Sequence, residues 1–280
     1  MRQPSTAAID AAKTVECRLA ARTAAPIRRQ FVERTTAASQ DPPLARTLRG
    51  GRGGAVRLKL ELSFLWFAAK APFHLRYPAR AWATLLDLPD PSGNGARRIN
   101  DSVLWLERNG LVSVAGEPGQ PNEVTLLSEL GNRTPYELPG LAYNRLRATP
   151  SGAEPHRYFQ LPNALWTNGW LQVLSGPGLA MLLVLYTELG RRDPTTTDLW
   201  FSPQQAELRF ALSEDTRSKG LRELRAAGLV SANRRSISPD TFDFRRLRNV
   251  YRIHTDTLEQ PAAIPESNDP VAAEVLSFVG

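Results

Sequence analysis

The 280-residue chain has one cysteine, Cys17, and three histidines, His74, His156 and His254. A single cysteine excludes an internal disulfide and a thiolate zinc cluster, and points to a reducing cytoplasm. The histidines lie far apart in the sequence, and none opens a zinc-protease motif. Long apolar runs are also missing: the longest, Leu179 to Tyr186, falls well short of the roughly 20 residues a bilayer span requires. Asp10, Lys13 and Glu16 interrupt the place where a signal peptide carries its apolar stretch, and Asp10, Glu16 and Glu33 count against a transit peptide. No phosphate-loop lysine, Gly-x-Ser-x-Gly elbow or Ser-x-x-Lys pattern occurs. The glycine-rich stretch ending at Gly54 runs into Ala55-Val56-Arg57-Leu58 rather than Lys-Ser or Lys-Thr. A site built from distant residues leaves no local trace, so the expectation of a non-enzyme without cofactor or metal rests on these missing motifs.

What is present is positive charge, unevenly placed. The formal net charge is +7 and the isoelectric point about 10.0. Residues 1–53 carry ten Lys or Arg against four acids, residues 54–140 carry nine of each, and residues 141–260 carry 16 against 12. The tail from residue 261 has three acids and no base. This distribution suits a polyanionic partner, although an arginine-rich composition by itself gives a similar picture.

Residues 1–54 are rich in Ala, Arg, Thr and Pro, have no sustained apolar period, and end in Arg49-Gly50-Gly51-Arg52-Gly53-Gly54. Such a segment is expected to be a mostly disordered basic arm, with a short helix near Ile9 to Ala21, because its burial does not offset its ordering entropy. Two roles stay open for it: an arm that touches phosphates, or a solvated tail.

A weak internal repeat organises the rest. Val103 to Ser113 aligns with Leu221 to Ser231 at a constant offset, placing Leu106 on Leu224 and matching Gly-Leu-Val-Ser in both copies. Each copy reads as a helix closed by glycine and followed by a strand. In the second, Ser213 is the expected N-cap, Glu214 and Asp215 suit the positive end of the helix dipole, and Gly228 suits the left-handed C-cap. Upstream, Ser202-Pro203-Gln204-Gln205 combines a cap, proline at the first helical position and the makings of a capping box. The first copy follows the same plan, with a helix from Tyr77-Pro78 through Leu86 and another over Ala96 to Asn109. More apolar first helices are expected over Val56 to Lys70 and Pro177 to Leu189, and Leu199-Trp200-Phe201 reads as a short strand. Strand pairs follow: Leu111 to Ala115 with Glu123 to Leu127, and Leu229 to Asn233 with Asn249 to His254. Trp166 and Trp170, around Asn168-Gly169, read as core packing rather than as a base-stacking platform.

Three helices followed by a two-stranded hairpin resemble the winged helix-turn-helix family, particularly members carrying two such domains in tandem, as plasmid replication initiators and some transcriptional regulators do. The expected fold class is mainly α with small β-hairpins, organised as a basic arm (1–54), winged-helix domain 1 (55–130), a linker (131–156), winged-helix domain 2 (157–258) and an acidic tail (259–280). The resemblance implies that the third helix enters the major groove of double-stranded DNA while the wing touches the backbone beside it. Carried onto this sequence, the outward-facing residues are Thr216, Arg217, Lys219 and Arg222 in the second copy, with Arg217 the preferred guanine reader and Arg225 nearer phosphate or solvent. In the first copy they are Arg97, Arg98, Asn100, Asp101 and Ser102, with Asn100 suited to adenine.

The second wing is expected to carry Arg234, Arg235, Arg245, Arg246, Arg248 and Arg252 against Asp240 and Asp243. Six phosphate contacts would give a slope of log affinity against log salt of about −5. The first wing, Glu117-Pro118-Gly119-Gln120-Pro121, has no base, so the copies are expected to play unequal roles. The sequence thus predicts a cytoplasmic, nucleoid- or plasmid-associated protein binding double-stranded DNA, with homo-oligomerisation left open. It acts as a transcriptional regulator or, alternatively, as a replication initiator at repeated origin sites. A reading of another class is a protein-interaction scaffold whose arginines only confer solubility.

Overall fold

The computed structural model describes residues 1–19, 22–34, 40–51, 53–116, 120–236 and 247–265. The chain is α+β, with helices predominating over small antiparallel sheets. It opens with α1 (Thr6–Arg18), β1 (Ala24–Arg28), α2 (Arg29–Val32) and α3 (Pro43–Leu48). The first half continues through α4 (Gly54–Phe67), β2 (His74–Arg76), α5 (Ala79–Leu85), α6 (Asn94–Arg108), β3 (Val112–Ala115) and β4 (Glu123–Leu126). A middle stretch holds α7 (Pro139–Leu146), α8 (Pro150–Ala153), β5 (Tyr158–Pro162), α9 (Ala164–Thr167) and α10 (Trp170–Val173). The second half comprises α11 (Gly176–Leu189), α12 (Pro203–Phe210), α13 (Glu214–Ala226), β6 (Val230–Ser236), β7 (Leu247–Ile253) and α14 (Thr255–Leu258).

The repeat seen in the sequence is a repeat of elements. In the first half, α4, β2, α5, α6, β3 and β4 follow one another, and the three strands form one sheet in the order β2-β4-β3. In the second half the order is α11, a single bridge of Leu199 to Tyr251, α12, α13, β6 and β7. The helices α4 and α11 are buried on nearly every side, which is why neither shows a clear apolar stripe. Against them lie α6 and α13, each turning one face inward: Ile99, Val103 and Leu106 in α6, and Gly220 and Leu224 in α13.

The described part of the first 54 residues is packed into the fold rather than a disordered arm. Ala8, Ala12 and Val15 lie on the buried face of α1, and Ile27, Phe31, Val32 and Leu44 are fully buried. β1 pairs with β5 in antiparallel register, Ile27 opposite Phe159, so this segment forms a sheet with residues far along the chain. Arg28, 2% exposed, donates to a Glu129 carboxylate oxygen at 2.6 Å, to the Glu137 carbonyl at 2.7 Å and to His156 Nδ1 at 3.2 Å. Burial is affordable for Arg28 because each guanidinium nitrogen finds an acceptor. The same contacts correct the expected linker: residues 131–156 carry α7 and α8 and hold two of the partners of Arg28, Glu137 and His156. The acidic tail is likewise packed at its start, since Ala262 and Ile264 are buried and Arg2 and Ile264 exchange backbone hydrogen bonds at 2.8 and 3.0 Å.

One continuous apolar core runs through both halves. At its centre the Trp66 and Trp166 rings stack nearly parallel with centroids 4.8 Å apart. Their indole N–H groups donate to Asn163 Oδ1 at 2.9 Å and Ser63 Oγ at 3.1 Å respectively, so both large side chains are buried with their polar handles satisfied. Trp170 donates to the carbonyls of Leu258 and Gln260. Across the junction, Lys59 Nζ donates to the Gln172 carbonyl at 2.7 Å, and Gln172 Nε2 donates to the Leu85 carbonyl at 2.9 Å. Burial pulls the Lys59 ammonium down to about 8. Glu61, on α4, is fully buried with neither carboxylate oxygen hydrogen-bonded, and burial, reinforced by Glu129, raises its proton affinity well above that of an ordinary carboxyl.

Candidate nucleic-acid interface

The local geometry of the second half follows from its caps. Ser202 and Gln205 form the expected capping box at the start of α12. Ala211 takes a left-handed φ of 52°, turning the chain after α12, and Ser213 Oγ then accepts from the Thr216 backbone N–H at 3.2 Å to open α13. Gly220 sets how closely α13 lies on α11: a Cβ there would stand 2.3 Å from the Pro177 carbonyl oxygen. Absence of a side chain on that inner face fixes the outer one. Ser218, Lys219 and Arg222 are exposed and Thr216 is half-buried. Lys219 pairs with Asp215 one turn earlier, at 2.9 Å, across open solvent.

Arg217 does not belong to this outer face. It is 8% exposed, and its Nη1 donates to the Leu212 carbonyl at 2.6 Å, pinning the turn that precedes α13. The expectation of an outward guanine reader at Arg217 is therefore corrected. The physical reason is its register: the repeat places Arg217 on Ile99, a core residue 1% exposed. A long arginine can occupy a core position when its head reaches a carbonyl. By the same alignment Ser218 matches Asn100, and both are exposed. Sequence reasoning missed Ser218, although the repeat held the signal.

In the first half, α6 opens on Asp90 rather than on a serine: the Asp90 carboxylate accepts from the backbone N–H groups of Gly93 at 3.1 Å and Asn94 at 2.8 Å. Arg97, Arg98, Asn100 and Asp101 are exposed along α6. Ser102 is not: it is 2% exposed and donates to the Arg98 carbonyl at 2.7 Å, which corrects its place among the outward residues. Leu104, aligned with Arg222, is 46% exposed.

The second hairpin pairs Arg234 with Asn249 and Arg235 with Arg248 across the strands, and Arg234 and Arg235 are exposed. Arg245 and Arg246, with residues 237–244, lie outside the described residues, as do Glu117, Pro118 and Gly119. The charge of the hairpin strands is partly committed within the protein. Arg235 and Arg252 both pair with Asp198, at 2.7 and 2.8 Å, and the Arg248 guanidinium lies 4.9 Å from the centre of the Trp200 ring. A cleft between α13 and the hairpin is lined by Trp200, Ser202, Ser218, Arg248, Asn249 and Tyr251. Trp200, expected in a short strand and as core packing, is 39% exposed, and Asn249, expected to open a strand, stands with it beside α13 through the Leu199 to Tyr251 bridge.

Chemically, the arrangement offers hydroxyl, amide, ammonium and guanidinium donors on exposed helix faces, flanked by an arginine-bearing ribbon. Such groups hydrogen-bond base edges and neutralise phosphate oxygens. Among the described residues, no helix is long and apolar enough to cross a membrane. No family model matches the chain, and no curated protein and no solved structure matches it.

Proposed function

We propose that the chain is a non-enzymatic double-stranded DNA-binding protein of tandem winged-helix architecture. The observation that carries this reading is the exposed polar face of α6 and of α13, each on a helix held against a buried first helix and followed by a hairpin. A helix with side chains is about 10 to 12 Å across and the major groove about 12 Å wide, so one such face fits one groove. In the second half, Thr216, Ser218, Lys219 and Arg222 meet the DNA while Arg234, Arg235 and Arg248 flank it on the hairpin. In the first half, Arg97, Arg98 and Asn100 do so. Arg217 supports the turn and touches no base.

Two groove-reading helices in one chain address an asymmetric or directly repeated site without dimerisation. That suits a transcriptional regulator or a replication initiator at repeated origin sites. A second reading holds for the first half alone. Exposed Leu104, in the place of Arg222, and a hairpin sequence without a base favour a protein contact there, leaving most of the affinity to the second half.

The test is fluorescence anisotropy of the full chain on a random duplex through a salt series. Affinity should fall steeply with salt, with a slope shallower than about −5 because Arg235 and Arg252 share Asp198. Absent or salt-insensitive binding would leave a scaffold as the better account.

A further inference from the structure

Among the described residues of the glycine-rich loop that ends the N-terminal segment, Arg49, Gly50 and Gly53 stand between the two outward helices. On one side Arg34, Asp41 and Arg49 line a cleft with Leu208, Ser213 and Thr216, at the turn into α13. On the other, Gly50, Gly53 and Arg57 line a second cleft with Arg98 and Asp101 of α6. Gly50 and Gly51 take φ of 86° and 95°, a backbone path that only glycine follows without strain.

This loop is anchored at both ends. Arg49 Nη2 donates to the Ala211 carbonyl at 3.0 Å and Arg34 Nη1 to the Leu208 carbonyl at 2.7 Å, tying it to the α12–α13 turn. The Arg57 guanidinium lies 4.8 Å from the centre of the Trp105 ring on α6 and donates to the Arg49 carbonyl at 3.2 Å. Arg34 and Arg49 both pair with the one carboxylate of Asp41. The Arg34 hydrogen bond, followed by that of Arg49, holds Asp41 below the usual carboxylate range, so it is ionised at neutral pH. Two guanidinium groups facing one carboxylate leave a net positive charge, and the Arg49 side chain is 57% exposed.

We infer that Arg34, Arg49 and Arg57 form a phosphate-binding strap for the stretch of duplex backbone that passes between the grooves entered by α13 and α6. Arg49 and Arg57 contact phosphate oxygens, and Asp41 occupies Arg34 and Arg49 until a phosphate replaces it. The inference rests on the DNA-binding reading above but adds a contact from the N-terminal segment, which that reading does not use. Charge-assisted hydrogen bonds to phosphate are shared by every sequence, so the strap contributes affinity and register and no base preference.

The experiment measures dissociation constants of the full chain on a random duplex and on a duplex selected from genomic fragments, between 50 and 200 mM salt. Arg49→Gln and Arg57→Gln should each weaken both duplexes alike and reduce the magnitude of the salt slope by about 1. Arg49→Lys should restore the slope, since it keeps the charge. Asp41→Asn, which removes the internal competitor, should bind both duplexes several-fold more tightly.

Thermal melts of each variant identify any that fails to fold. Should Arg49→Gln do so, Arg57→Gln and Asp41→Asn decide the matter. Unchanged slopes and no tightening by Asp41→Asn, while Arg222→Ala still weakens binding, would overturn the strap and leave the DNA-binding reading standing. No salt-sensitive binding by the unmodified chain would overturn both.

Discussion

At the scale of single residues, two buried ionisable side chains show how position overrides type. Glu61 has no hydrogen-bond partner inside the core, and its raised proton affinity means that folding favours the neutral acid. In the unfolded chain it ionises in the ordinary carboxyl range, so stability drains away as pH rises from that range toward the folded-state value. Glu61→Gln should therefore raise the melting temperature by several degrees at pH 7, with the gain over the unmodified chain shrinking as pH falls toward 4. Each tenfold difference in proton affinity corresponds to about 1.4 kcal/mol. Melts in a pH series check this, and an equal or lower melting temperature for Glu61→Gln at pH 7 contradicts it. Arg217 makes the opposite point, being buried and supplied with a carbonyl. Arg217→Ala should cost about 1 to 3 kcal/mol of folding stability and leave the ratio of selected to random duplex affinity unchanged. A loss of discrimination with an unaltered melting temperature would restore it as a base reader.

At the scale of elements, what the sequence made legible was local. The capping box of α12, the Ser213 cap and the positive φ of Gly228 at 70° depend on neighbours a few residues away, and each is where the sequence puts it. The helices α4, α5, α6 and α11 follow their apolar patterns to within a few residues. The hairpin strands of both halves also fall where the sequence placed them. By contrast, β2 was missed because three residues carry too little period, and its pairing with β4 comes from a partner some 50 residues on. The N-terminal segment was misread for a related reason: small residues such as Ala8 and Ala12 bury well only when another surface is already shaped to receive them. Of the outward helix residues, Arg97, Arg98, Asn100, Lys219 and Arg222 were legible because amphipathic spacing shows them, whereas Arg217 and Ser102 required the register to be applied strictly. Gly220 gives the element-scale test. Glycine inside a helix ordinarily costs about 1 kcal/mol relative to alanine, yet here a Cβ would meet the Pro177 carbonyl at 2.3 Å and Met181 Cγ at 2.6 Å. Gly220→Ala should thus destabilise, by roughly 1 to 3 kcal/mol, seen as a lower urea midpoint. A higher midpoint would mean that α13 is not held so tightly on α11.

At the scale of the whole molecule, the two repeats share one core with the N-terminal segment. The stacked Trp66 and Trp166, the Lys59 and Gln172 links, and the Arg28 to Glu129 pair each join parts that the sequence presents as separate. Neighbouring domains on a loose tether would sample many spacings, while a shared core holds α6 and α13 at a fixed one. On the proposed DNA-binding reading, fixed geometry has a directly observable consequence. Hydroxyl-radical footprinting of the full chain on duplexes selected from genomic fragments measures it. The account predicts two protected segments on each bound fragment, separated by about 10 base pairs or more and at the same spacing on every fragment. A single protected segment, a spacing that drifts between fragments, or no protection at all would contradict it.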